Sequence, residues 1–183
     1  MSKVCVFLAE GFEECEGLLV VDILRRGGVE VTTASISDSL QVTSSHHVNI
    51  QADTLACELA LDTFDGLFLP GGMPGILNLG KSHFVRNAVE TFHQNGKWIS
   101  AICAAPSILG EMGLLKGKKA TSFPAFEDKL DGATVLQTEF VQDGTILTGR
   151  GLGAAIPFGL HFLEMLEGKE TAQKIRTAIC YEH

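Results

Sequence analysis

The chain lacks several features that mark large classes of proteins. Its 183 residues include 14 Lys and Arg against 22 Asp and Glu, a formal net charge of −8, and the basic residues form no cluster. That balance argues against a nucleic-acid-binding surface. No apolar run approaches the length of a membrane span, so no membrane partner is expected. The amino terminus leads into an apolar segment without a secretion signal, which favours a cytoplasmic location.

Signatures of bound metals and nucleotides are also missing. The five cysteines contain no Cys-x-x-Cys pair and no spacing with histidines that suggests zinc. An odd cysteine count in an apparently intracellular chain is typical of free thiols, not of a disulfide framework. Neither the Gly-x-Gly-x-x-Gly nor the Walker phosphate-binding pattern is present. We therefore expect neither a metal nor a cofactor.

Short apolar segments alternate along the chain with segments of helical periodicity. Residues 14–26 carry an apolar stripe and end at two glycines, which is typical of a helix C-terminus. The alternation predicts one α/β domain over residues 1–183, with a mostly parallel sheet covered on both faces. Segments 40–43 and 48–52 are predicted to pair as a separate hairpin. Strands are predicted at 3–8, 30–34, 66–69, 119–121, 134–136, 139–142 and 145–147, and further helices at 82–95, 153–166 and 169–178.

The apolar run that ends at Cys103 is the most informative segment. Small residues and Pro106 follow the cysteine, and proline is favoured in the first turn of a helix. A cysteine on such a sharp strand-to-helix turn is exposed at the carboxyl edge of the sheet, where helix N–H groups favour a thiolate. We therefore expect Cys103 to be a nucleophile with a pKa below the free value of about 8.5. The alternative is an inert core residue, the usual role of a lone cysteine after an apolar strand.

A glycine loop follows another buried strand and is expected at the same edge of the sheet. It contains Gly71 and Gly72, whose backbone can turn toward a substrate without side-chain obstruction. The N–H groups of Gly72 and Ala104 would then form an oxyanion hole. A tight turn that requires positive φ explains the glycines equally well.

Three acidic residues, Glu13, Glu14 and Glu16, open the first predicted helix. Most acids at this position complement the helix macrodipole, and we expect that of at least two of them. The third would reach the crevice at Cys103. An ionised carboxylate there would raise the thiol pKa. An acid that stabilises the thiolate must therefore be partly buried and protonated, so that it can donate a hydrogen bond to the sulfur.

None of the six histidines lies at a strand end close to Cys103. His46 and His47 occupy the hairpin turn, where exposure is expected and approach to a site, even a partner subunit's, is the alternative. Arg150 ends a strand and is interpreted as structural, with anion binding as the alternative. The remaining histidines are expected to be solvated or structural: His83, His93, His161 and His183.

Five segments together resemble the ThiJ/PfpI superfamily, in the YajL-like branch related to the parkinsonism-associated deglycase. They are residues 9–16, 21–28, 69–72, 101–106 and 147–153, in order and at matching spacing. The resemblance covers nearly the whole chain. It implies a flavodoxin-like three-layer sandwich of the class I glutamine amidotransferase-like type, and a homodimer.

The same resemblance implies roles for individual residues. Cys103 would be the reactive, oxidation-prone nucleophile, and Glu16 the protonated acid that donates a hydrogen bond to its sulfur. Gly72 and Ala104 would supply backbone donors. The motifs contain three further residues that we expect to support the site: Gly71, Asp22 and Arg150.

The sequence departs from relatives at several positions. Phe123 stands where some members have a histidine, which argues against a Cys–His dyad and leaves acid–base work to Glu16. Ala104 replaces the histidine that follows the cysteine in the protease-like branch. His161 and Glu164 lie three apart in a predicted helix and do not form the His-x-Glu of amidotransferases. His46 replaces an arginine of some relatives.

We therefore expect a cofactor-free glyoxalase or deglycase that acts on methylglyoxal, glyoxal or their adducts with proteins and nucleotides. The alternative is a redox-sensing stress protein or chaperone that uses oxidation of Cys103. A third possibility is the same fold with its activity lost.

Overall fold

A seven-stranded sheet forms the centre of the computed structural model, which describes residues 1–181. The seven strands are β1 (Lys3–Leu8), β2 (Glu30–Ser35), β5 (Thr54–Leu55), β6 (Gly66–Leu69), β7 (Trp98–Ile102), β10 (Phe140–Asp143) and β11 (Ile146–Gly149). Their order across the sheet is β10-β11-β7-β6-β1-β2-β5, and every neighbouring pair is parallel except β10 with β11. His183, one of the six histidines, lies outside the described residues.

Helices cover both faces of this sheet because the central strands are apolar on both sides. In β1, Val4, Val6 and Leu8 pack into one buried cluster, whereas Cys5 and Phe7 pack into the other. The architecture is therefore a flavodoxin-like three-layer α/β sandwich, as predicted. The helices are α1 (Glu14–Arg26), α2 (Gly75–Lys81), α3 (His83–Gln94), α4 (Pro106–Glu111), α5 (Ala155–Glu167) and α6 (Lys169–Ala178).

Two small pairs of strands lie outside the main sheet. The predicted hairpin is confirmed as β3 (Gln41–Thr43) and β4 (Asn49–Gln51), which pair antiparallel. The predicted strands near 119 and 134 form a parallel pair, β8 (Lys119–Ala120) and β9 (Thr134–Val135). The hairpin is joined to the start of α1 by a hydrogen bond from Ser45 N to Phe12 O of 2.8 Å.

Most predicted boundaries agree with the structure to within two residues. Ser82 caps α3, as expected for a serine before an apolar stripe, since its side chain accepts from Val85 N. Helix α2 is absent from the predicted helices, because Pro74, Gly75 and Gly80 weaken a helical pattern. Strand β5 is also absent from the predicted strands, because it is only two residues long.

Candidate active site

Cys103 lies where β7 ends, between the ends of β6 and β11. Its φ of 63° is left-handed, which a non-glycine residue adopts at a cost of about 1–3 kcal/mol. The conformation is held by two backbone hydrogen bonds: Cys103 N donates to Gly149 O at 2.9 Å, and Phe123 N donates to Cys103 O at 2.7 Å. The side chain is partly exposed, so the predicted sharp turn leaves the sulfur within reach of solvent.

Glu16 is aimed at this sulfur by the start of α1. Glu13 caps the helix by accepting a 2.7 Å hydrogen bond from Glu16 N, which fixes the first turn. The Glu16 side chain is only 1% exposed and is hydrogen-bonded to Cys103. Its carboxyl group also accepts from Gly71 N at 3.1 Å and from the N–H of Leu152.

Gly71 leaves the space in which the side chains of Glu16 and Cys103 meet. A Cβ on this residue would lie 2.5 Å from Glu16 Oε2 and 2.6 Å from Cys103 Cβ. Gly72 has a φ of 98°, which requires glycine for the turn itself. Its N–H nevertheless hydrogen-bonds the sulfur of Cys103, so the turn and the donor interpretations of Gly72 are compatible.

Two backbone N–H groups, those of Ala104 and Gly72, donate hydrogen bonds to the Cys103 sulfur. These bonds stabilise a thiolate more than a thiol. The following helix, α4, begins with Pro106 but has only six residues, so its macrodipole is short. Stabilisation of a negative sulfur therefore comes mainly from the two individual N–H groups.

The electrostatics of the pair revise the expected thiol pKa. Burial is the largest factor and raises the pKa of Glu16 from 4.5 to about 7. Burial, and then the negative charge of an ionised Glu16, raise the pKa of Cys103, which is opposite to the sequence-based expectation. A thiolate at neutral pH therefore depends on Glu16 retaining a proton, so that the two groups share one negative charge.

The other acids of the α1 terminus have separate partners. Glu14 pairs with His46, at 2.9 Å from Nδ1 to Oε1, and His46 is 69% exposed. His47 is also exposed. Among residues 1–181, one group of side chains could hold a metal ion, and it consists of Glu13, Glu14 and His46. The carboxylate of Glu13 already accepts a hydrogen bond as the cap of α1.

Within residues 1–181, the ion pairs of Arg150 and Asp22 are made with groups other than the sulfur of Cys103. Arg150 pairs with Glu127, at 3.0 Å from Nη1 to Oε1, and lines the cavity beside the site. Asp22 is exposed and pairs with Arg26 at 2.6 Å, so the structure gives no geometric support to its expected role at the site. His161 hydrogen-bonds Gln142 and stacks on Phe140, so these contacts do not involve Cys103.

Sequence reasoning missed the part played by the loop after β11. Leu152 donates its N–H to Glu16, and Gly151 lies against both Glu16 and Cys103. The run of glycines between 149 and 153 was a usable signal, because such a loop brings backbone close to a ligand. From the sequence, Phe123 is significant only as a replacement for the histidine of some relatives. In the structure its backbone N–H also donates a hydrogen bond to the carbonyl of Cys103.

The fold and this geometry define a class: parallel α/β sandwiches that present a cysteine on a strand-to-helix turn beside a buried acid. The sequence matches the DJ-1/PfpI family over residues 2–165. The chain belongs to this family.

Individual relatives support the assignment. The chain is 39% identical over 178 residues to Protein dj-1beta of Drosophila melanogaster, covering 96% of this chain and 95% of that protein. It is 32% identical over 167 residues to Deglycase TK1284 of Thermococcus kodakarensis, covering 90% and 99%. Against Protein DJ-1 homolog A of Arabidopsis thaliana, identity is 38% over 97% of this chain, which spans 46% of the plant protein's length.

A solved structure shows the same fold throughout. The structure described as Toxoplasma gondii DJ-1, oxidized, superposes with a TM-score of 0.96 at 36% identity, covering 100% of both chains. Within residues 1–181, none of the helices has both the length and the apolar character that crossing a bilayer demands.

Proposed function

We propose that this protein is a cofactor-free, cysteine-dependent enzyme of the glyoxalase or deglycase type. Its substrates would be methylglyoxal, glyoxal or their early adducts with proteins and nucleotides. The carrying observation is the buried carboxyl group of Glu16 beside the sulfur of Cys103, with the N–H groups of Gly72 and Ala104 as donors to that sulfur. The deglycase-named relative of Thermococcus kodakarensis supports the same reaction class.

The proposed reaction begins with attack of the Cys103 sulfur on the aldehyde carbon. A C–S bond forms, and the aldehyde oxygen takes the proton of Glu16 to give a hemithioacetal. The N–H groups of Gly72 and Ala104 are placed to stabilise negative charge during this step. Neither metal nor redox partner is needed, because the two carbons of the dicarbonyl exchange oxidation states internally.

Glu16 then acts as the base. Its carboxylate removes the hydrogen from the former aldehyde carbon and returns a proton to the neighbouring carbon, which gives a 2-hydroxy thioester. Water cleaves the C–S bond, releases a 2-hydroxy acid and restores the thiol. A pKa of about 7 suits this role, because both protonation states of Glu16 are populated at neutral pH.

The test is lactate formation from methylglyoxal by the wild type, Cys103→Ser and Cys57→Ser. Cys57 is exposed and outside the site, so Cys57→Ser is the matched control. We expect Cys103→Ser to lose essentially all turnover and the control to retain it. Equal turnover by all three proteins would exclude the mechanism.

A redox-responsive stress protein is the second candidate function, and the partial exposure of Cys103 favours it. A thiolate and two peroxide molecules give a sulfinate and two waters, and a protonated Glu16 can donate to the new oxygen. A structural relative is described as oxidized, which concerns that protein alone. Selective peroxide oxidation of Cys103 without dicarbonyl turnover would favour this candidate.

We also propose that the protein forms a homodimer through α1. Leu18 is exposed on this helix, and Val48 is exposed on the adjacent hairpin. Sedimentation equilibrium of Leu18→Glu tests this, with Leu77→Glu as a control on an exposed leucine of α2. Unchanged mass of Leu18→Glu relative to the control would remove α1 from the interface.

A further inference from the structure

A cavity of about 380 Å³ opens beside Cys103, and its walls are mostly apolar. Phe123 and Leu152 both line the cavity, and they remain 46% and 49% exposed. Large apolar side chains left open to water mark a surface that binds something apolar. The cavity volume falls within the range of about 300–1,000 Å³ that is usual for small-molecule sites.

Gly151, which lines the cavity, also lies against Cys103 and Glu16. A Cβ built on Gly151 would lie 3.6 Å from Phe123 Cδ2 and 3.9 Å from both Cys103 Sγ and Glu16 Oε1. One carbon position therefore contacts the aromatic wall, the nucleophile and the acid together. A substituent on an aldehyde bound at Cys103 would extend along this wall.

The two wall residues are anchored by their backbones to the catalytic pair. Phe123 N donates to the carbonyl of Cys103, and Leu152 N–H donates to the carboxyl group of Glu16. The positions of these walls are thus fixed without the help of their side chains. Substituting either side chain changes the lining of the cavity while the anchoring bonds remain.

The charged groups at the rim do not suit an anionic substrate. Arg150 is the cation of the lining, and its Nη1 is already engaged by Glu127. Glu139 adds a negative charge to the same lining. A carboxylate or phosphate on the substrate would therefore find an occupied guanidinium and neighbouring negative charge.

We propose that Phe123 and Leu152 determine specificity, and that they favour uncharged 2-oxoaldehydes with an aryl or branched aliphatic substituent over the smaller methylglyoxal and glyoxal. This inference rests on the proposed function and deepens it. Phenylglyoxal is the probe, compared with methylglyoxal, because the two differ in the substituent that would contact Phe123.

The experiment measures kcat/KM for both aldehydes in the wild type, Phe123→Ser and Leu40→Ser. Leu40 is an exposed leucine outside the cavity lining and is the matched control. We expect the phenylglyoxal-to-methylglyoxal ratio to fall about tenfold in Phe123→Ser and to stay unchanged in Leu40→Ser. Equal ratios in all three proteins would overturn the inference and leave the proposed function standing.

A second measurement does not depend on turnover. Alkylation of Cys103 by N-benzyl iodoacetamide is compared with alkylation by iodoacetamide, with intact mass as the readout. We expect the benzyl reagent to be favoured in the wild type and the preference to drop severalfold in Phe123→Ser. If neither aldehyde is converted, the proposed enzyme function fails, and an unchanged alkylation preference would show separately that the apolar wall selects nothing.

Discussion

The carboxyl group of Glu16 is hydrogen-bonded to the sulfur of Cys103, although one opens the first helix and the other follows a central strand. Burial opposes charge on either group, and two negative charges would repel, so we expect the pair to carry one negative charge between them at neutral pH. The chemistry of the site therefore belongs to the pair.

The first prediction concerns thiol reactivity. In the wild type, alkylation of Cys103 by iodoacetamide should rise to a plateau with an apparent pKa near 7, where Glu16 and Cys103 together lose their first proton. Glu16→Leu should shift the rise above the free-thiol value of about 8.5, because burial remains and the donor is gone. Glu16→Gln should lie between them, since an amide still donates. A single ordinary thiol titration in all three proteins would contradict a shared proton.

The second prediction concerns stability against pH. The pKa of Glu16 is raised from 4.5 to about 7, so its contribution is fully present below pH 4.5 and is lost as pH rises through 7. By linkage the loss is on the order of 3 kcal/mol at most. Urea unfolding between pH 4.5 and 8 measures it in the wild type and in Glu16→Gln. The free energy of unfolding of the wild type should fall relative to that of Glu16→Gln as pH rises. A constant difference between the two free energies would show that Glu16 keeps an ordinary pKa.

The third prediction concerns Gly71. A methyl group here would contact Glu16 Oε2 and Cys103 Cβ at 2.5 and 2.6 Å, so Gly71→Ala should separate the pair. We expect dicarbonyl turnover to fall at least a hundredfold, as displacement of about 1 Å at a reacting centre does elsewhere. Gly80→Ala in α2 is the control, because its methyl group meets only ordinary contacts at 3.7 and 4.0 Å. Similar activity in both variants would mean that the pair tolerates the extra carbon.

The fourth prediction concerns oxidation. Graded peroxide followed by intact mass and peptide mapping should locate two added oxygens on Cys103, which is only partly exposed, before any addition to the exposed Cys15, Cys57 or Cys180. The physical reason is that Cys103 alone among these has Glu16 and two N–H donors around its sulfur. Preferential oxidation of Cys57 or Cys180 would indicate that exposure, and not the site, controls the reaction.

The sequence was sufficient for the fold because its alternation of elements and the apolar character of β1, β6 and β7 leave one layered arrangement. It was also sufficient to predict the sharp turn at Cys103, since turn chemistry is local. It could not choose among Glu13, Glu14 and Glu16 by periodicity. That choice is made by the Glu13 cap, which turns Glu16 inward. The wall at Phe123 depends on a contact between distant segments and has no local signal.

The left-handed backbone of Cys103 has a consequence for how this chain changes over generations. Glycine adopts such a φ without the steric cost that a side chain meets, so Cys103→Gly would relax the turn instead of damaging it. The backbone conformation of this turn therefore does not require a sulfur at this position. Only selection on what the thiol does can keep it in place.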